Sequence, residues 1–202
     1  HHILPLDRGR PCAQPTDPIE LRAAVIDRMP TDPMLTQTLF DESATKNLLL
    51  ELAQQIGQAV PPAAHLVLVG IRRRGDSIAE SIGEHLRGIR GTLAIGSLDI
   101  TLYRDDFGQI DSLPRVGTTI IESSIDGAHV VVVDDVLYTG RTIRAALNEL
   151  ADFGRATKTE LCVLIDRGGR QLPIQPDYAG HFAKVAPGQE VSVRVPTLDG
   201  AW

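Results

Sequence analysis

Two adjacent acids, Asp134 and Asp135, end the apolar run Val130-Val131-Val132-Val133 and precede Val136-Leu137-Tyr138-Thr139-Gly140-Arg141-Thr142. Carboxylates at the end of a buried strand can accept hydrogen bonds from neighbouring sugar hydroxyls, such as the 2- and 3-hydroxyls of a ribose. The backbone N–H groups from Leu137 to Thr142 fall where a helix starts. Unpaired donors and the positive end of the helix dipole would face an anion there. Gly140 allows close backbone approach, and Thr139 and Thr142 add hydroxyl donors. Asp and Thr are also ordinary helix-cap residues. The adjacency of two acids to Thr-Gly-X-Thr is more specific, and it suits a ribose 5-phosphate. No Gly-Lys-Ser/Thr follows and no Gly-X-Gly-X-X-Gly is present, which excludes a Walker loop and a dinucleotide fingerprint.

A second segment could hold a larger anion. Gly70-Ile71-Arg72-Arg73-Arg74-Gly75 follows a short apolar run and opens a helical pattern, so backbone donors stand beside three guanidinium groups. Three arginines in a turn are more often a solvated surface. One strand–helix unit before the ribose cradle, they suit a pyrophosphate. Breaking a bond from the anomeric carbon to pyrophosphate requires charge stabilisation on the leaving group and exclusion of water from the cationic sugar.

The elements that must position these loops alternate. Leu48, Leu49, Leu52, Ile56 and Val60 recur at helical spacing over Asp41–Val60, with Asp41 or Ser43 as cap and Pro61-Pro62 as stop. Leu66–Val69 reads as a buried strand and Asp76–Arg87 as a helix. Leu93–Tyr103 reads as a long strand interrupted near Gly96-Ser97. The stretch Asp105–Gly127 reads as a flexible β-excursion with a modest strand signal at Thr118–Ile121. The valine strand and its helix follow, to about Phe153, where Gly154 stops it. Glu160–Ile165 is another buried strand, while Tyr178–Phe182 and Val191–Val195 read as short strands of a separate local structure. This order predicts an α/β fold with a mainly parallel sheet covered on both faces, its ligands beyond the carboxyl ends of the strands.

Composition is that of a globular domain. Of 202 residues, 43% are hydrophobic and 23% charged, and the longest apolar runs are of strand length, so no transmembrane helix is expected. A net charge of −6 argues against a surface built throughout for nucleic acid. Cys12 and Cys162 lack metal-ligand spacing and suit free thiols in a reducing cytoplasm. The six histidines show no metal spacing either, and His65, His85 and His129 read as structural or solvent-facing. Residues 1–37, punctuated by prolines, read as an irregular arm or an appended extension, with one domain over 38–202.

The string Leu98-Asp99-Ile100-Thr101-Leu102-Tyr103-Arg104-Asp105-Asp106 adds little alone. Taken with Val133–Thr142 and with Leu164-Ile165-Asp166-Arg167-Gly168, it resembles the pyrimidine-operon attenuator family, whose members are also uracil phosphoribosyltransferases. The resemblance runs from about Thr38 to Val195. It implies the type I phosphoribosyltransferase fold with a small hood, Mg²⁺ and phosphoribosyl pyrophosphate (PRPP) with uracil as substrates, UMP and pyrophosphate as products, and a homodimer or homotetramer. It also implies roles. Asp134 and Asp135 would bind the ribose hydroxyls, directly or through Mg²⁺, and Val136, Leu137, Tyr138, Thr139, Gly140, Arg141 and Thr142 would surround the 5-phosphate. Arg72, Arg73, Arg74 and Gly75 would hold pyrophosphate, with a strained, often cis, peptide near Arg72-Arg73, and Arg104 would sit at the base of a closing loop. Ile165, Asp166 and Arg167, with Tyr178 and Ala179, would form the base pocket, the Tyr178 ring offering a stacking face. Purine-salvage relatives have an acid where Tyr138 stands, and a uracil enzyme has less need of one because uracil loses its N1 proton comparatively easily.

The regulators in that family bind a hairpin of messenger RNA leader through a basic face. Here the first helix carries only Lys46 as a base, with Asn47, Leu50, Glu51 and Gln54 beside it. Arg170 is kept after the base-pocket strand, but Gln175 and His181 replace two cations, and Gly169 replaces a usual His. Fewer phosphate contacts weaken RNA binding steeply, so catalysis is expected to outweigh RNA regulation.

Overall fold

The computed structural model describes residues 37–90, 93–100, 119–186, 188–200 and 202. The unit Gln37–Trp202 is compact in itself. Five strands, β1 (Leu66–Ile71), β2 (Leu93–Leu98), β3 (His129–Leu137), β4 (Lys158–Asp166) and β5 (Tyr178–Phe182), form one sheet in the order β2-β1-β3-β4-β5. All four pairings are parallel, so every carboxyl end opens on the same edge.

Helices cover both faces, as the alternation requires. α1 (Glu42–Ala59) starts where the Asp41 carboxylate accepts from the Ala44 N–H at 2.8 Å, and it buries Leu49, Leu52 and Ile56. α2 (Gly75–Arg87) buries Ile78, Ile82 and Leu86 on the same side. These stripes pack on Leu66, Leu68, Val131, Val133 and Leu164. Each fully buried side chain of this kind contributes about 1.5–3 kcal/mol. α3 (Arg141–Leu150) places Ile143, Ala146 and Leu150 against the opposite face, lined by Val67, Val69, Val130, Val132 and Val163. The valine run thus serves both cores, with alternate side chains to each, which is why it reads as an unbroken apolar stretch. Among the described residues, no helix is long and apolar enough to cross a membrane.

Four readings of the sequence need correction. Tyr178–Phe182 is no separate structure: it is the fifth strand of the main sheet, parallel to β4 with Tyr178 opposite Cys162 and Phe182 opposite Asp166. Its short, polar-rich sequence is that of an edge strand. Val191–Val195 forms no strand. β2 passes through Gly96-Ser97 without a break; the glycine instead admits another backbone, since a Cβ there would lie 2.9 Å from the Ile120 carbonyl oxygen. Ser97 and Ile120 form an antiparallel bridge, which accounts for the modest strand signal around Ile120. The fourth concerns Tyr178 itself.

Tyr178 is buried, and its hydroxyl donates to Glu160 Oε2 at 2.8 Å. His129 Nε2 lies 2.6 Å from the same oxygen, and Lys158 Nζ pairs with Glu160 Oε1. This network pins β3, β4 and β5 together well short of their carboxyl ends. Burial alone would raise the Glu160 carboxyl, but the bonds from Lys158, His129 and Tyr178 outweigh it and hold the group below its ordinary value. Burial and the Glu160 bond push the Tyr178 phenol up. A depressed acid stabilises the fold above its ordinary value and loses that contribution as pH falls through the lowered one. A raised phenol stabilises below its ordinary 10.0 and loses that contribution as pH rises from there. Glu160→Ala should therefore cost about 2–4 kcal/mol in urea unfolding at neutral pH, because it leaves buried donors unpaired. The same variant should show a flatter acid limb of stability. Tyr178→Phe should cost about 1 kcal/mol and leave turnover unchanged, since it removes only the hydroxyl that donates to Glu160.

Candidate active site

The order β2-β1-β3 places β1 beside β3 at the point where the chain reverses direction across the sheet. The carboxyl ends of these two strands carry the two anion loops predicted from the sequence. The Arg72–Gly75 turn leaves β1 and enters α2, with the Arg72 N–H donating to the Leu98 carbonyl at 2.9 Å. The Arg72-Arg73 peptide is cis, at the position the resemblance implied. Gly75 is pressed against β3: a Cβ there would lie 2.4 Å from the Val133 carbonyl oxygen. The pyrophosphate-type loop and the acid pair are therefore held against each other through main chain.

Asp134 is 6% exposed, and its Oδ1 accepts from the Asp135 N–H at 3.0 Å. Asp135 Oδ1 accepts in turn from the Val136 N–H at 2.8 Å. These bonds orient both carboxylates near the carboxyl end of β3. Asp134 and Asp135 lie within β3, which runs on to Leu137, so the acids stand on strand rather than loop backbone. The chain then turns into α3 through Gly140, whose φ of 91° is the left-handed region that favours glycine. Gly140 offers no capping side chain; instead the Arg141 N–H, the first of α3, donates to Thr139 Oγ1 at 3.3 Å, with Thr142 next in the helix.

Arg72, Arg73, Asp76, Ser77, Glu80, Ser97, Thr197 and Leu198 line a cavity of about 330 Å³ next to the arginine turn. Arg72 Nε is 3.8 Å from Asp76 Oδ2, and Arg74 Nη2 is 3.6 Å from Asp199 Oδ1. Burial holds the Asp76 carboxyl above its ordinary value despite Arg72 and the Ser77 N–H. Asp199 belongs to a short terminal helix, α4 (Pro196–Asp199), whose Thr197 hydroxyl is 2.5 Å from Ser77 Oγ. Sequence reasoning gave this C-terminal cover no role; the string Pro196-Thr197-Leu198-Asp199 holds a helix start and an acid, but nothing that assigns it to the arginine turn.

On the other flank, β4 ends at Asp166. Arg167 extends its guanidinium over the Tyr138 ring, 4.0 Å from the centroid, and its N–H donates to the Leu137 carbonyl at 3.1 Å. Tyr138, half exposed, also fills the space a side chain at residue 169 would need: a Cβ on Gly169 would fall 2.4 Å from Tyr138 Cε2. Ile165, Asp166 and Arg167 thus lie beside Val136 and Leu137, where the chain turns toward α3. Tyr178 and Ala179 do not. They pair with Cys162 and Val163, three to four residues before β4 ends, and Tyr178 is committed to Glu160. The aromatic ring at the carboxyl end of β5 is Phe182, 63% exposed and near Gly168. The signal for it was parity: Phe182 shares the Tyr178 face two steps further along the strand. Arg104 lies outside the described residues.

The comparisons agree with this geometry. The model of the family described as "Phosphoribosyl transferase domain" matches residues 36–195. A "Bifunctional protein PyrR" of Pelotomaculum thermopropionicum is 45% identical over 163 residues, covering 80% of this chain and 90% of that protein. Another from Akkermansia muciniphila is 47% identical over 139 residues, covering 69% and 78%. Solved structures of a hypoxanthine phosphoribosyltransferase from Staphylococcus aureus and one from Trypanosoma cruzi share the fold. Their TM-scores are 0.59 and 0.60, each at 22% identity, over 73% and 74% of this chain and 77% and 79% of theirs. With its acid pair and arginine turn joined at the switch point of a parallel sheet, the chain belongs to the phosphoribosyltransferase family and, within it, to the PyrR type.

Proposed function

We propose that this chain is a Mg²⁺-dependent uracil phosphoribosyltransferase, converting uracil and PRPP to UMP and pyrophosphate. The observation that carries the reading is the junction of the two anion loops at adjacent strand ends, with the acid pair between them. Asp134 and Asp135 accept hydrogen bonds from the ribose hydroxyls. The N–H groups and hydroxyls of the loop Val136–Thr142 hold the 5-phosphate at the start of α3. Arg72, Arg73 and Arg74, with the Gly75 amide, take the charge that develops on the departing pyrophosphate. The bond from the anomeric carbon to pyrophosphate breaks, a bond to uracil N1 forms, and the N1 proton leaves to solvent. Backbone groups of Ile165, Asp166 and Arg167 read the uracil edge, with the rings of Tyr138 and Phe182 on that side. Arg104 is assigned to the same leaving-group step.

The donor set suits Mg²⁺. Two carboxylates supply hard oxygens, and among the described residues no cluster of three or more His, Cys, Asp or Glu could cage a metal alone. Asp134 and Asp135 would hold the ion, which would supply positive charge to offset that of the leaving group. This reading includes residues 1–37 as an appended arm, a homodimer or homotetramer, and a cytoplasmic setting.

A panel of uracil, hypoxanthine, guanine and orotate, each with PRPP and Mg²⁺, tests the substrate. UMP from uracil with little turnover of the others is the expected result; turnover of another base alone would sink the uracil assignment. A second reading, a UMP- and UTP-sensing RNA-binding attenuator, is favoured by the word "bifunctional" in the relatives' names. Against it, Lys46 on α1 is paired with Glu42 at 2.6 Å, and the exposed face around it holds Asn47, Leu50, Glu51 and Gln54. A gel shift with the cognate leader transcript should show weak binding unaltered by UMP, and tight UMP-stimulated binding would reverse the ranking.

A further inference from the structure

The sequence offered Arg170 as the surviving member of a basic surface set, but the folded chain uses it internally. Its side chain is 13% exposed, and Nη2 lies 2.6 Å from Asp166 Oδ2. Nη1 donates to the carbonyls of Tyr138, Leu137 and Gly168 at 3.1, 3.4 and 3.4 Å, and Nε donates to the Ile174 carbonyl at 2.9 Å. One guanidinium therefore touches both the phosphate loop and the base-side loop. The same base-side segment reaches the phosphate loop through main chain. The Arg167 N–H donates to the Leu137 carbonyl, and the Gln171 and Leu172 N–H groups donate to the Thr139 carbonyl at 3.0 and 3.2 Å.

Three successive carbonyls of the phosphate loop, those of Leu137, Tyr138 and Thr139, are thus held toward the segment Arg167–Leu172. In a planar trans peptide the carbonyl and the following N–H point in opposite directions. Fixing these carbonyls on one side turns the N–H groups of Tyr138, Thr139 and Gly140 to the other, a run of successive donors of the kind that holds anions. The Asp166 carboxylate completes the device from below. Its Oδ2 takes Arg170, and its Oδ1 accepts from the Gly168 N–H at 2.8 Å.

We propose that Arg170 is a positioning residue for ribose-phosphate binding: it aims the amides of the phosphate loop and locks that loop to the base-side loop through Asp166. The proposal rests on the phosphate-site reading above and not on the identity of the base. Because the fork is what spans four carbonyls and a carboxylate, a lysine restores the charge without restoring the device.

The test uses the full chain with Arg170→Gln and Arg170→Lys, and ribose 5-phosphate as the ligand in calorimetry. Both variants should bind it at least ~10-fold more weakly, with KM for PRPP rising more than kcat falls. Folded variants that bind ribose 5-phosphate as the unaltered chain does would overturn the positioning role. Amide NMR on the unaltered chain is free of any folding defect. Ribose 5-phosphate should move the Tyr138, Thr139 and Gly140 N–H resonances, and unmoved resonances would overturn the proposal whatever the variants do. An unaltered chain that fails to bind ribose 5-phosphate would overturn the phosphate site itself. Binding without UMP formation would leave Arg170 in its role and remove only the uracil assignment.

Discussion

Replacing Asp134 and Asp135 together by asparagine should abolish measurable turnover while leaving the protein folded. Each carboxylate already spends one oxygen on a neighbouring N–H, at 3.0 Å for Asp134 and 2.8 Å for Asp135, and an asparagine carbonyl can accept the same bond. The local backbone therefore survives, and unfolding free energy should stay within about 1 kcal/mol of the original. What is lost is the negative charge that the proposed function aims at the ribose hydroxyls. Two charge-assisted bonds at about 2 kcal/mol each correspond to roughly a 10³-fold drop in kcat/KM, and more if Mg²⁺ is held there as well. Steady-state rates with a parallel urea titration check both halves. Near-normal rates in a stable double variant would remove the acids from the site.

The second large effect needs no functional group at all. Gly75 opens α2 with its Cα facing β3, and a methyl group there would sit 2.4 Å from the Val133 carbonyl oxygen and 3.3 Å from Asp134 Cα. Both obstacles are backbone of the sheet centre, so the arginine turn must move away from the acid pair instead. Gly75→Ala should cost about 1–3 kcal/mol of stability through overpacking. Separating leaving-group donors from the ribose site by even ~1 Å should lower kcat about 10²-fold. Gly88→Ala is the control. It follows the other end of α2 in helical backbone, and its Cβ would meet nothing nearer than the His85 carbonyl at 3.7 Å. Stability and turnover should both be unchanged there. Equal behaviour of the two variants would show that the contact between the loops does not govern the chemistry.

The sheet and the two anion loops were legible in the sequence because their causes are local. A valine run buried on both faces, a helical stripe over Asp41–Val60 and a Thr-Gly-X-Thr turn after the acids each follow from a few neighbouring residues. The misreadings have a common cause, which is long-range pairing. Tyr178 carries no mark that its partner is Glu160, and a tyrosine beside a small residue reads equally well as a ring for a base. Gly96 read as an interruption because the Ile120 backbone that approaches it is more than twenty residues away in the chain. Arg170 read as a surface cation for the same reason: its carbonyl partners at Leu137 and Tyr138 belong to another strand–helix unit. Resemblance supplied roles for residues such as Tyr178, but the register of β5 against β4 decided where that ring stands.

The internal bonding of Arg170 also bears on regulation. A guanidinium bound to a carboxylate and four carbonyls contributes little to a surface for RNA phosphates. Both loops it joins belong instead to the proposed substrate site. The cation that most favoured an RNA-binding reading therefore supports catalysis.

Phosphorus NMR of the purified full chain with PRPP and Mg²⁺, recorded before and after uracil is added, tests this account most directly. PRPP should persist until uracil is present and then give one UMP and one pyrophosphate for each PRPP consumed. Pyrophosphate released without uracil, or PRPP unchanged in its presence, would contradict it.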